Sequence, residues 1–116
     1  MSDLPEPLRA RMAELDARPA LETVRDFLGA NVADAESFDE IRADQRQLAR
    51  VSTRAIRRDL AALEAVLAAP PSSPGALARL VGWDGNWVLD DPSDAGALQF
   101  LGELAQLLRE VLDDAR

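Results

Sequence analysis

The sequence predicts an all-α protein: a single five-helix bundle-like domain over residues 1–116, with one long helix and a central C-terminal helix. Apolar residues recur at helical spacing in segment after segment, and none alternates with the two-residue period of a strand. Caps and breakers punctuate the chain at Pro19, Gly29, Ser37, Pro70 to Gly75, Gly82 and Pro92. With 47% hydrophobic content in 116 residues, there is material for one modest core and not for two.

Pro5 and Pro7 suit a helix's first turn, and Leu8, Met12 and Leu15 follow at helical spacing, so a first helix is expected to about Asp16. Pro19 should end or re-aim it. Leu21, Val24, Phe27 and Leu28 form a second amphipathic segment with Gly29 placed as its C-terminal cap, and Ala30 to Glu36 connects onward. Ser37-Phe38-Asp39-Glu40 matches a capping box, in which the Ser hydroxyl accepts an N–H three residues on and Glu40 reaches back. From Phe38, the positions Ile41, Leu48, Ala55, Ile56, Leu60, Leu63, Val66 and Leu67 stay on one side at about 100° per residue. They predict a long helix reaching Ala69. A polar row, Gln45, Ser52 and Asp59, runs along this apolar side. It calls for hydrogen bonds to neighbouring helices, or a kink near Val51-Ser52-Thr53, where β-branched residues and a Ser weaken the helix.

After the breaker Pro70 to Gly75, Ser73 and Pro74 are placed to open a short helix that uses Leu77, Leu80 and Val81 and stops at Gly82. Asp91 or Ser93 caps the last helix, with Pro92 near its first turn and Asp94 favoured by the helix dipole. One stripe of this helix is Leu98, Leu101, Ala105, Leu108 and Leu112, and the adjoining stripe is Ala97, Phe100, Leu104, Leu107 and Val111. Together they are wider than one partner helix needs, so this element should sit at the centre.

The net charge of −8 is unevenly spread: −6 over residues 1–41, +5 over 42–58, −1 over 59–82 and −6 over 83–116. The basic band is carried by Arg42, Arg46, Arg50, Arg54, Arg57 and Arg58, on the side of the long helix opposite its apolar stripe. Its simplest use is pairing with Asp39, Glu40 and Asp44 at helical spacing; a contact surface for an acidic protein, centred on Arg46, Arg50, Arg54 and Arg57, is the alternative. Overall acidity disfavours nucleic acid or an anionic membrane as partner. With no Cys and no His, thiolate chemistry, thiolate zinc sites and the commonest general base are excluded. Met1 to Pro7 show neither the basic region nor the apolar run of a signal peptide, so a cytoplasmic protein is expected.

Catalysis finds little support. Asp39/Glu40, Asp90/Asp91 and Asp113/Asp114 are adjacent acids at helix starts and tails, whereas paired-carboxylate chemistry needs acids facing across a cleft. The acids of 84–94 lack the ligand order of a Ca²⁺ loop, and no phosphate-cradling Gly-rich loop is present, so no cofactor or metal is expected. An enzymatic alternative would place Asp59 in a polar groove.

Leu80 to Ala95 stands apart, because it contains both tryptophans of a chain that is 4% aromatic. Asp84-Gly85 and Gly85-Asn86 supply turn chemistry. Trp83 and Trp87 are expected to plug the end of the core, their indole N–H groups bonded to loop carbonyls. If one stays outside, Trp83, Asp84, Asn86, Trp87, Asp90, Asp91 and Asp94 make an acidic-aromatic patch for a basic partner.

The segment Leu77 to Leu112, with Trp83-Asp84, Asn86-Trp87, Asp90-Asp91-Pro92-Ser93-Asp94 and the Leu-rich last helix, resembles the C-terminal part of small acidic immunity proteins of contact-dependent growth inhibition and related polymorphic toxin systems. It covers about a third of the chain. The resemblance implies a cytoplasmic antitoxin that binds one cognate toxin domain and occludes its active site or a nearby surface. A structural alternative is a helical adaptor or dimer subunit using the Arg-faced helix. The oligomeric state expected is a monomer or weak homodimer.

Overall fold

The computed structural model describes the backbone of residues 6–116 and the side chains from Pro19 onward. Among the described residues five α-helices follow in order: α1 (Glu6–Asn31), α2 (Phe38–Val51), α3 (Arg54–Ala68), α4 (Ala76–Arg79) and α5 (Asp94–Asp114). A single π-helical turn, Leu80–Asp84, continues α4, and no strand occurs among the described residues. The all-α expectation is met.

Pro19 does not end a helix. It lies inside α1, a continuous 26-residue element. Ala, Arg, Glu and Leu crowd both sides of the proline, and these residues favour helix strongly enough to span one missing N–H. Downstream, Val24, Phe27, Leu28 and Val32 are buried, which clamps this end of α1 to the rest of the molecule. Gly29 is also internal; the chain leaves the helix after Asn31, where the amides of Val32 and Ala33 both donate to the Leu28 carbonyl. The expected stripe Leu8, Met12 and Leu15 lies outside the described side chains.

The long helix expected from Phe38 to Ala69 is two helices. Ser37 caps α2 as the sequence predicts, accepting the Glu40 N–H at 3.2 Å, while Glu40 accepts the backbone N–H of Glu36 at 3.1 Å. At Ser52 the backbone turns extended, φ −163° and ψ 141°, and α3 restarts two residues later. No α3 N–H is capped by Thr53; instead Ser52 Oγ accepts the Arg54 N–H at 3.2 Å. The restart resets the helical phase. α2 buries Ile41 and Gln45, and α3 buries Ile56, Ala62, Leu63 and Val66; Leu48, expected on the apolar stripe, is 39% exposed.

α5 is central, packed against α2, α3 and α4, while α1 packs against α3 and the π turn. Both of its stripes turn inward, burying Ala97, Phe100, Leu101, Leu104, Ala105, Leu107, Leu108 and Val111. At about 1.5–3 kcal/mol per fully buried large apolar side chain, this helix supplies much of the driving force for folding. The polar row is built into the packing. Gln45 Nε2 donates to Asn31 Oδ1 at 3.1 Å, and Asn31 Nδ2 donates to the Phe27 carbonyl at 3.2 Å, which ties α2 to the end of α1.

Candidate partner-binding surface

The segment between α4 and α5 is shaped by its ends. Gly75 precedes α4 in the left-handed region, φ 79°, and α4 itself is four residues long. Gly82 does not stop it. The chain widens into the π turn, closed by the Gly85 N–H donating to the Leu80 carbonyl at 3.1 Å, with Leu80 and Val81 pointing into the core. A π turn carries an extra residue per turn, a feature often found at functional sites. Here the turn faces Trp83 outward, 84% exposed.

Beyond the turn the chain is pinned to the connector that follows α1. Asn86 adopts a positive φ of 47°, and its Nδ2 donates to the Ala33 carbonyl at 3.3 Å. The Trp87 N–H donates to the Val81 carbonyl at 3.3 Å, and the side chain turns inward. Its ring lies 5.7 Å from Phe38 and 5.2 Å from Phe100, and those two rings are 5.4 Å apart, all in tilted arrangements that favour aromatic contact. The two tryptophans therefore divide: Trp87 plugs the core and Trp83 does not. The expected bonds from the indoles to loop carbonyls are not made, since neither indole N–H finds a partner among the described residues. Val88, next in the chain, is 94% exposed.

The acids of this stretch have different duties. Asp84 pairs with Arg25 of α1 at 3.5 Å. Asp91 Oδ1 accepts both the backbone N–H of Ser93 at 3.1 Å and its hydroxyl at 2.6 Å, and these bonds hold its carboxyl below the usual range. Ser93 in turn caps α5. Asp94 accepts the N–H groups of Ala78 and Gly75, which lowers its pKa as well. Asp90 is exposed and has no charged or hydrogen-bonded partner among the described residues. Asp91 and Asp94 are thus chiefly fastenings of the segment, while Asp90 is the free carboxylate.

Between this segment and α5 runs an open groove of about 360 Å³, floored by Phe38, Trp87 and Phe100. Its walls include Val88, Asp90, Asp91, Gln99 and Glu103.

The chain has no match to any family model, curated protein or solved structure.

The basic band also divides. Arg42 and Arg46 do not pair within α2 as expected; they reach across to α5, to Glu110 at 3.3 Å and Asp114 at 3.0 Å. The acids of α5 approach α2 more directly than Asp39, Glu40 or Asp44 approach their own helix's arginines. Arg58 lies 3.6 Å from Asp59. Arg50, Arg54 and Arg57 have no ion pair among the described residues, and Val51 beside them is 86% exposed. Asp59 is 7% exposed at a hollow of about 280 Å³ shared with Thr23, Asp26 and Asn31. Burial raises its pKa, against the opposing pull of Arg58. Among the described residues no three His, Cys, Asp or Glu side chains gather as metal ligands, and no helix is long and apolar enough to cross a membrane.

Sequence reasoning missed Phe38, Phe100, Val88, Gln99 and Glu103 as members of this surface. For the phenylalanines a signal existed: the chain has two Trp and three Phe, and Phe38 and Phe100 both fall on apolar stripes leading toward the tryptophans. Val88 lies beside Trp87 in the stretch already set apart; for Gln99 and Glu103 there was no signal, because local spacing does not say which residues flank a groove formed between distant segments.

Proposed function

We propose that this chain is a non-enzymatic, protein-binding inhibitor of the immunity type: a cytoplasmic antitoxin that neutralises one cognate toxin domain by direct contact. The observation that carries the reading is Trp83, held outward at 84% exposure by a hydrogen-bonded turn whose neighbours are packed. A large ring kept in water on a fixed backbone presents contact area at little entropic cost, and Trp is the residue most enriched where binding energy concentrates. Val88 adds a second exposed apolar side chain, and the free carboxylate of Asp90 together with the acidity of residues 83–116 favours a basic toxin face through electrostatic steering.

The test is co-expression with a panel of toxin domains from contact-dependent inhibition and related polymorphic toxin systems. The reading expects rescued growth and a 1:1 complex that co-purifies, with both lost in Trp83→Ala while its circular dichroism and melting stay native. No rescue and no complex would sink it.

A second reading rests on Arg50, Arg54 and Arg57, which are unpaired among the described residues and flank exposed Val51. It makes the α2–α3 corner the contact surface of an adaptor or dimer subunit. A self-dimer by light scattering, lost on Arg50→Glu/Arg54→Glu and untouched by Trp83→Ala, would favour it.

A further inference from the structure

We propose that the groove beside Trp87 is a receptor for an arginine side chain of the partner protein. The inference rests on the protein-binding reading above and specifies the chemistry of that contact. Three features of the groove converge on a guanidinium. Its floor is aromatic: half-buried Trp87 is held by tilted contacts with Phe38 and buried Phe100, at 5.7 and 5.2 Å, so its ring is fixed in place before any ligand arrives. Its walls bring carboxylates from two separate segments, Asp90 and Asp91 before α5 and Glu103 within it, and no basic side chain lines it. Its volume of about 360 Å³ is open to solvent, so the groove is accessible to a long side chain.

The charges are not already spent. Asp90 has no partner among the described residues, and Glu103 has only the amide of Gln99 at 3.4 Å, a long contact that a guanidinium would outcompete. Asp91 is held by Ser93, which keeps it ionised and fixed in place. Arginine fits better than lysine. A guanidinium is more weakly hydrated, stacks on aromatic faces and offers donors in two directions at once, whereas an ammonium would have to shed a tighter water shell over the apolar floor. Val88 at the rim, 94% exposed, is positioned to cover the methylene stem of such a side chain.

The experiment is a titration of the full-length, isotopically labelled protein with the capped tripeptide Gly-Arg-Gly, followed by the indole N–H resonance of Trp87 and the amides of Val88 and Gln99. The expected result is a saturable shift of these signals with the arginine peptide, a weaker one with Gly-Lys-Gly, and none with the citrulline analogue, which keeps the shape and loses the charge. The double variant Asp90→Asn/Glu103→Gln leaves the aromatic floor intact and should weaken arginine binding by about 3- to 10-fold, the scale of losing two exposed carboxylate contacts. Both positions lie at the surface, and a native amide spectrum checks the fold. Equal shifts with arginine and citrulline, or arginine shifts unaltered in the double variant, would overturn the proposal. The two readings fail separately: a Trp83-dependent toxin complex without arginine shifts removes the groove's role, and arginine shifts without any toxin complex remove the inhibitor reading.

Discussion

The carboxylate of Asp94 accepts the backbone N–H of Gly75 at 2.7 Å and, through its other oxygen, that of Ala78 at 3.0 Å. The first residue of α5 therefore holds the left-handed turn that opens α4, and with it the start of the segment that displays Trp83. Asp94→Ala should lower the melting temperature and loosen the α4 region in amide hydrogen exchange. The anion is stabilised by these N–H groups, so its pKa falls below 3.8 in the folded state. Its stabilising effect is thus complete above the unfolded pKa and fades as pH drops through the lower folded value. Melts of wild type and variant should differ most near neutrality and converge below about pH 4. Asp91 is shifted in the same direction, so some acid sensitivity persists in the variant. A gap that stays constant down to strongly acid pH would contradict this.

Gly96, in the first turn of α5, lies so close to the Asp91 carbonyl that a Cβ there would overlap backbone. Gly96→Ala must displace the 90–93 segment, since the atom in the way belongs to the main chain and cannot rotate aside. The expected loss is about 1–3 kcal/mol in chemical denaturation, the usual scale for overpacking. Because Gly96 and Asp91 both line the groove, the amides of Val88 and Gln99 should shift as well. A variant of unchanged stability and spectrum would show that the backbone yields more easily than its packing indicates.

These two contacts also show where sequence reasoning stops. The stripes of α5, the Ser37 capping box and the Ser93 cap were legible because each depends on residues within a turn or two of one another. The break at Ser52 was legible only as a weak spot, since a poor helix former lowers the cost of breaking without deciding whether packing will exploit it. Pro19 erred the other way. A local breaker was overridden by strong helix formers on both sides and by burial of Val24, Phe27 and Leu28. At the candidate site, Trp83, Trp87 and Asp90 were found by composition, but which indole faces water depends on Phe38 and Phe100, far away in the chain. The same holds for Arg42 and Arg46, whose partners sit 68 residues on.

Ser52 replaces the missing cap of α3. Its hydroxyl accepts the Arg54 N–H, while Thr53 makes no side-chain cap bond. Ser52→Ala should destabilise the protein by about 0.5–2 kcal/mol, the range for removing an N-terminal cap, whereas Thr53→Ala should cost less. Chemical denaturation of both variants measures the difference. If the alanine at 52 were instead neutral or stabilising, α2 and α3 would be fusing into the continuous helix that the periodicity favours, and hydrogen exchange at residues 51–54 would fall to confirm it.

Asp59 should carry a pH response of opposite sign to Asp94. Burial against α1 penalises its ionised form more than Arg58, 3.6 Å away, restores it, so the folded-state pKa lies above 3.8. The folded protein thus favours the neutral acid: this contribution is largest below the unfolded pKa and is lost as pH rises through the raised one. Asp59→Asn keeps the shape and a carbonyl acceptor but never ionises. It should equal wild type in stability near pH 3 and exceed it at pH 7, by about 0.5–2 kcal/mol on the scale of stabilising single substitutions. Asp26, which lines the same hollow, is exposed and acidic, so it supplies no cation that would favour an ionised side chain at position 59. Denaturant titrations at the two pH values decide the matter. An Asn variant less stable than wild type at pH 7 would mean that the contact with Arg58 outweighs burial, and that this carboxylate is a net tie within α3.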